Sequence, residues 1–345
     1  MNRAAHPRCL RRAHPRMTGL SLVELLVSIA LGLMVLAGVI TVFANSSAAR
    51  NELERASRQI ENGRYALELL SGELRMAGFY GELGVGALAA PGVMPDPCST
   101  AIADWQTAIP IHLQAYDNGA GAPGCIPASL KAGTDIVVVR RARGCLAGVG
   151  NCDAAVAGKP YLQVALCSTE LAATPYTLGL QGTAAFSLHQ RNCATVAGMR
   201  EYLVNIYFIS TDNGAGGNIP TLKRLELKAS GGGVVFTETA LVEGIEWLNI
   251  EYGLDTDGDG QPDVTVSDPT TYACPTCTPV NNWSNAVTAR IYILARNIDT
   301  SPGYSNIKTY NLGAQAVAAA NDGYRRHAYN SLVRIANPSG RRETP

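Results

Sequence analysis

Nothing in these 345 residues supplies the usual apparatus of a nucleotide-binding or hydrolytic enzyme. There is no Walker loop, no GxGxxG and no GxSxG, so neither a phosphate-cradling turn nor a nucleophile elbow is encoded. The single CxxC, Cys274-Pro-Thr-Cys277, has no second CxxC and no nearby histidine, which removes the ligand set of a structural zinc site. Aromatic residues make up only 6% of the chain against 47% hydrophobic, so its core must be largely aliphatic. Lysine and arginine total 28, as do aspartate and glutamate, a balance that loss of the five arginines before Gly19 would turn to a net of −5, which argues against a general phosphate-binding surface. Residues 20–44 show the most informative gap, being an apolar run with no proline and a single charge, Glu24.

At 1.5 Å per residue that run is long enough to cross a bilayer core of roughly 30 Å. A secretory signal has a shorter apolar core and a cleavage site after it; here the only natural break, Thr18-Gly19, precedes the core. Cleavage there leaves the helix on the mature chain. The leader carries Arg3, Arg8, Arg11, Arg12 and Arg16 and no acid, so the positive-inside rule keeps it cytoplasmic and sends the remainder across the membrane. Removing it takes away five arginines, leaving 23 basic and 28 acidic side chains, a net of −5. Glu24 needs a compensating group, because a bare carboxylate is costly in hydrocarbon. It either reaches the headgroups at the cytoplasmic edge or pairs with the new ammonium that cleavage after Gly19 creates on Leu20, in its own or a neighbouring subunit.

Gly19 followed by Leu20-Ser21-Leu22-Val23-Glu24-Leu25-Leu26 resembles the prepilin N-terminal motif of type IV pilins and type II secretion pseudopilins. The resemblance implies cutting after Gly19 by a membrane prepilin peptidase and methylation of Leu20, although the usual residue there is Phe. It also implies that Glu24 guides filament assembly. Major pilins of this kind break their helix with a proline about 22 residues into the mature chain. Thr41 stands at that position, which favours a minor pilin or a pseudopilin.

Residues 51–77 carry small or apolar side chains at Leu53, Ala56, Ile60, Gly63, Leu67, Leu70, Leu74 and Ala77. That 3-4 spacing predicts an amphipathic helix over 45–80, ended near Gly78 and Gly81. Glycine- and proline-rich sequence over 81–124 predicts loops with short elements. Strands are predicted at 135–140, 161–167, 184–188, 202–210, 222–229, 234–237, 248–252, 288–296 and 325–335, with a hairpin tip at Asp212-Asn213-Gly214. One long helix followed by many strands gives an α+β fold, a helix packed on an antiparallel head spanning 81–345 with a loop-rich insertion around 82–200.

Cys9 leaves with the leader, and eight cysteines remain: Cys98, Cys125, Cys145, Cys152, Cys167, Cys193, Cys274 and Cys277. The even number beyond the membrane helix points to disulfides and an oxidising compartment such as a bacterial periplasm. Eight cysteines allow 105 pairings. Near-neighbour pairing, including Cys145 with Cys152 and Cys274 with Cys277, is the expectation.

Asp255, Asp257, Asp259 and Asp263 alternate around Gly260 in the manner of a calcium loop, since calcium takes six to eight oxygens. The pattern departs from an EF-hand: Val266 stands where a bidentate Glu belongs, and Asp268 would have to substitute. The same residues equally suit a solvated turn. His112, His189 and His327 are scattered and read as ordinary surface or packed residues. Arg325, Arg326, Arg334, Arg341 and Arg342 make a basic C-terminus, read as a charged edge strand and tail or as a docking patch for an acidic partner.

Three stretches, residues 241–247, 250–260 and 289–296, together resemble PilW-type minor pilins of type IV pilus systems. That resemblance implies a non-enzymatic subunit in the inner membrane, its head periplasmic and then part of a pilus. Its partners would be other minor pilins, the major pilin, a PilY-type tip protein and the prepilin peptidase, in a complex that primes assembly for twitching motility and adhesion. No nucleic acid is expected from the charge. The alternatives are a J-type pseudopilin of type II secretion and a membrane-tethered periplasmic calcium-dependent binding protein.

Overall fold

The computed structural model describes Gly19 and residues 21–343. Leu20 and the leader arginines lie outside the described residues. A single helix, α1 (Leu22–Met76), passes through two compact units, one ending at Glu54 and the other beginning at Arg55.

In the first unit α1 is long and apolar enough to cross a membrane, and none of that stretch is buried against protein. Two of its hydroxyls are satisfied within the helix: Ser28 Oγ donates to the Glu24 carbonyl at 2.7 Å and Thr41 Oγ1 to that of Ala37 at 2.8 Å. Such back-bonding suits polar side chains to an apolar medium.

In the second unit the buried residues of α1 are Gln59, Gly63, Ala66, Leu70 and Leu74. From Gly63 onward this shares Leu70 and Leu74 with the expected seam. Before it the face has turned: Leu53 and Ile60 are 71% and 43% exposed, and Gln59 is inside. The physical reason is polar. Gln59 Nε2 donates to the carbonyls of Ala295 and Arg325 at 2.8 and 2.9 Å, contacts an apolar side chain cannot make. Glu73 anchors the other end on Arg141 at 2.7 Å. Burial alone would raise the Glu73 pKa, but Arg141 and Asn205 outweigh it and hold the carboxylate below its ordinary value.

The larger sheet contains β1 (Leu113–Tyr116), β2 (Ile136–Ala142), β3 (Pro160–Val164), β4 (Tyr176–Leu180), β5 (Met199–Ser210), β6 (Thr221–Ser230) and β7 (Gly233–Glu243). All pairings are antiparallel, in the order β1-β2-β5-β3-β4, with β6 joining β5 to β7. The second sheet has β8 (Ile245–Leu254), β9 (Val264–Val266), β10 (Ala286–Arg296) and β13 (Arg326–Arg334), in the order β13-β10-β8-β9. A small hairpin, β11 (Tyr310–Leu312) with β12 (Gln315–Val317), stands apart.

β2 shows why the sequence 136–139 is continuously β-branched. Val137 and Val139 join a core shared with α1 and the second sheet, whereas Ile136 and Val138 face a separate core containing Tyr80, Trp105 and Ile109. A strand buried on both faces has no polar side to alternate. Strands β1 to β4 therefore make the 82–200 stretch part of the larger sheet. The strand expected at 184–188 is absent, because the Leu188 amide is taken by the Gln163 side chain at 3.0 Å; the partner of β3 is instead β4.

Asp135 ties the sheets together. Its amide donates to the Leu248 carbonyl at 2.9 Å, and its carboxylate accepts the amides of Asn118 and Ile250 at 2.8 and 2.7 Å.

Gly63 brings α1 close against β13. A Cβ there would lie 2.3 Å from the Tyr329 ring. Gly63→Val should therefore lower stability by about 2 kcal/mol, overpacking outweighing the helix propensity gained. Thermal unfolding of the detergent-solubilised chain checks this, and adding Tyr329→Ala should remove most of the overpacking cost.

Candidate functional site

The features singled out in the sequence do not gather into one site. Glu24 lies in the first turn of α1, where its carboxylate accepts the Ser21 amide at 3.0 Å. This is one half of a capping box, Ser21-x-x-Glu24, with the acid at the positive end of the helix. Gly19 is described and Leu20 is not, so the expected cleavage point lies at the edge of the described residues.

The aspartate loop follows β8. Asp255, Asp257 and Asp263 bring carboxylate oxygens within 4.8 Å of one another, and Asp259 is not in that group. Asp255 is buried and fully engaged: its carboxylate accepts the amides of Gly258 at 2.6 Å and Gly260 at 3.0 Å, and Arg342 Nη1 at 3.0 Å. Burial would raise its pKa, but Arg342 and these amides leave it lowered. Asp263 accepts the amide and hydroxyl of Thr256 at 2.7 and 2.8 Å, which lower its pKa. Gly260 has φ +86, and a Cβ there would meet the Ser339 carbonyl at 2.8 Å, so the loop is seated on the C-terminal helix Ala336–Arg342. Asp268 caps the turn Pro269–Thr271 through the Thr270 amide at 2.8 Å. Chemically this is a loop closed by its own amides, with a guanidinium supplying positive charge beside Asp255.

The cysteines form four disulfides, Cys98–Cys125, Cys145–Cys152, Cys167–Cys193 and Cys274–Cys277, each between neighbours in sequence. Three precede β5. The histidines serve packing: His112 is buried against the Ala286 carbonyl, and burial drives its pKa down to about 3. His189 pairs with Glu170, and His327 lies edge-on to Tyr329.

The basic C-terminus is largely occupied within the chain. Arg326, with its side chain 3% exposed, bridges Glu246 and Asp322 at 2.5 and 2.6 Å. Arg334 pairs with Glu343, Arg341 donates to the Gly78 carbonyl, and Arg325 stacks over Tyr304. β13 is the edge strand expected from the sequence, but its arginines hold the fold. Sequence reading missed Asp135, Gln59 and Lys223, the last buried between Asp212 and Glu238 at 2.9 and 2.7 Å. For Lys223 the available signal was a polar residue in alternating register with Leu225 and Leu227; Gln59 lies off the expected apolar seam and carried none.

Residues 206–337 match the family model described as type IV pilus-assembly protein W. The match takes in β6 through β13 and stops short of α1, β1 to β4 and three of the disulfides. No match was found among curated proteins. Among solved structures, a type IV-like pilin from Thermus thermophilus aligns over 81% of this chain and 96% of its own, at 14% identity and a TM-score of 0.33.

Proposed function

We propose that this is a PilW-type minor pilin of type IV pili, one that helps initiate pilus assembly and sits near the tip. The observation that carries this reading is the joining of two features in one chain. A prepilin-like motif opens an apolar helix, and that helix continues into a head whose strands β6 to β13 match the assembly-protein model.

In this reading a prepilin peptidase cuts between Gly19 and Leu20, Leu20 is methylated, and the head lies on the periplasmic side of the inner membrane. Glu24 then pairs with an N-terminal ammonium as the helix packs among those of other minor pilins, the major pilin and a PilY-type tip protein. The four disulfides fit an oxidising compartment. The protein's role is structural: helix packing and contacts between heads.

The test is intact-mass measurement and N-terminal sequencing from cells with and without an active prepilin peptidase. The expected result is a chain starting at methylated Leu20 only when the peptidase is active. An identical, leader-bearing chain in both would overturn the reading.

A further inference from the structure

The four disulfides differ in what they hold. Cys98–Cys125 and Cys167–Cys193 close separations of 27 and 26 residues, Cys145–Cys152 one of 7, and Cys274–Cys277 one of only 3. A cross-link stabilises a fold mainly by restricting the unfolded chain, and the effect shrinks with the loop it closes. Cys274–Cys277 therefore adds least to the stability of the head.

The segment around it is fastened by other means. Asn282 Nδ2 donates to the carbonyls of Pro269 and Tyr272, both at 2.8 Å, and Trp283 Nε1 donates to Thr270 Oγ1 at 3.1 Å. These bonds tie the short helix Pro279–Ser284 to the turn Pro269–Thr271 on the far side of the disulfide. Thr278 Oγ1 accepts the Asn281 amide at 3.1 Å, and Val280, Asn282 and Trp283 are buried. None of these contacts uses a sulfur, so both flanks are held whether or not the bond is closed.

The sulfurs are also accessible. Cys274 is exposed and Cys277 half-buried. Both line a cavity of about 320 Å³ together with Thr276, Asn281 and Asn285, and among the described residues no charged side chain lines it. An incoming thiolate meets no carboxylate at that wall. By contrast Cys167 is 1% exposed, and the Cys98 sulfur accepts the Cys125 amide at 3.1 Å. Cys145–Cys152 matches Cys274–Cys277 in exposure, but its cavity is walled by the linked ion pairs of Arg143 with Asp153 and Glu201 and of Lys159 with Glu201, which an incoming group must part.

We propose that Cys274–Cys277 is a site of reversible thiol–disulfide exchange in the folded protein, attacked at Cys274 by a dithiol polypeptide. Exposed disulfides are the ones open to such exchange, whereas those enclosed in structure resist it. A thiolate of the partner attacks Cys274 Sγ, the bond between the two sulfurs breaks, and Cys277 leaves as a thiolate and takes up a proton. The second thiol of the partner then attacks the partner's sulfur in the mixed disulfide and releases Cys274, which is protonated in turn. This chain gains two electrons and two protons, and the partner is left as a disulfide. The inference stands apart from the pilus reading, since it concerns the purified chain whatever machine that chain serves.

The test exposes the folded full-length protein in detergent micelles to dithiothreitol, quenches samples with acid over time, alkylates the free thiols and locates them by peptide mass spectrometry. The expected result is labelling of Cys274 and Cys277 at least tenfold faster than any other pair, with circular dichroism and melting temperature unchanged and the bond restored by oxidised glutathione. Single-cysteine variants identify the attacked sulfur. Cys277→Ser should form a mixed disulfide with oxidised glutathione at Cys274, and Cys274→Ser should do so at Cys277 at least tenfold more slowly. Opening in step with another pair, opening only as the folded signal is lost, or equal capture by the two variants would overturn the proposal.

Discussion

Asp135→Ala is expected to lower the unfolding free energy at pH 5 by about 2–4 kcal/mol, as the variant leaves the buried amide of Ile250 and the more exposed one of Asn118 without their acceptor. The same substitution should matter less at pH 8. Burial, opposed by the two amides and reinforced by Asp117 and Asp268, raises the Asp135 pKa to about 7. Between the ordinary carboxylate range and about 7 the folded chain therefore holds a proton that the unfolded chain has lost. The contribution of Asp135 is fully present below that window and falls as pH rises through it. The measurement is the difference in denaturant midpoint between wild type and variant across pH 4 to 8. Using a difference matters because Glu73, Asp255 and Asp263 have lowered pKa values and act in the opposite direction, losing their contributions on acidification. A difference that grows with pH would contradict the assignment.

Glu24→Ala should leave cleavage after Gly19 intact and reduce incorporation into pili by at least about tenfold, the effect of losing roughly 1.4 kcal/mol at the subunit contact. The carboxylate has two separable roles. Within the described chain it caps the Ser21 amide, which a neutral acceptor can also do. Pairing with the ammonium of Leu20 requires its charge. Glu24→Gln distinguishes them: if charge pairing governs assembly, the glutamine variant fails as badly as alanine in immunoblots of sheared pili. Recovery by glutamine would reduce Glu24 to a helix cap.

The parts of the fold that were legible are those in which local pattern and tertiary environment agree. The strands expected at 202–210 and 222–229 lie within β5 and β6, paired from Ser210 with Thr221 onward, and the run 288–296 lies within β10. The short-range disulfides also followed the expected neighbour pairing. Legibility failed where side chains replaced the backbone as partners. Gln59 is inside because two carbonyls of β10 and the β13 approach need a donor, and no periodicity announces that. Residues 184–188 look like a strand, yet Gln163 takes the amide that a ladder would have used. β1 and β4 were hidden by their brevity and by flanking glycine and proline, and their stability comes from the neighbours β2 and β3. For the aspartate loop, spacing gave the cluster but could not show that Arg342, nearly ninety residues away in sequence, arrives beside Asp255.

β2 lies between β1 and β5, and β3 also pairs with β5. Excising 82–200 to obtain a minimal head would thus strip hydrogen-bond partners from β5 and open both of the cores that β2 divides. The stretch outside the family match is scaffold as much as decoration. A truncated fragment that respects this architecture starts at Arg55, keeps Gln59 under its two carbonyls, and retains all three upstream disulfides.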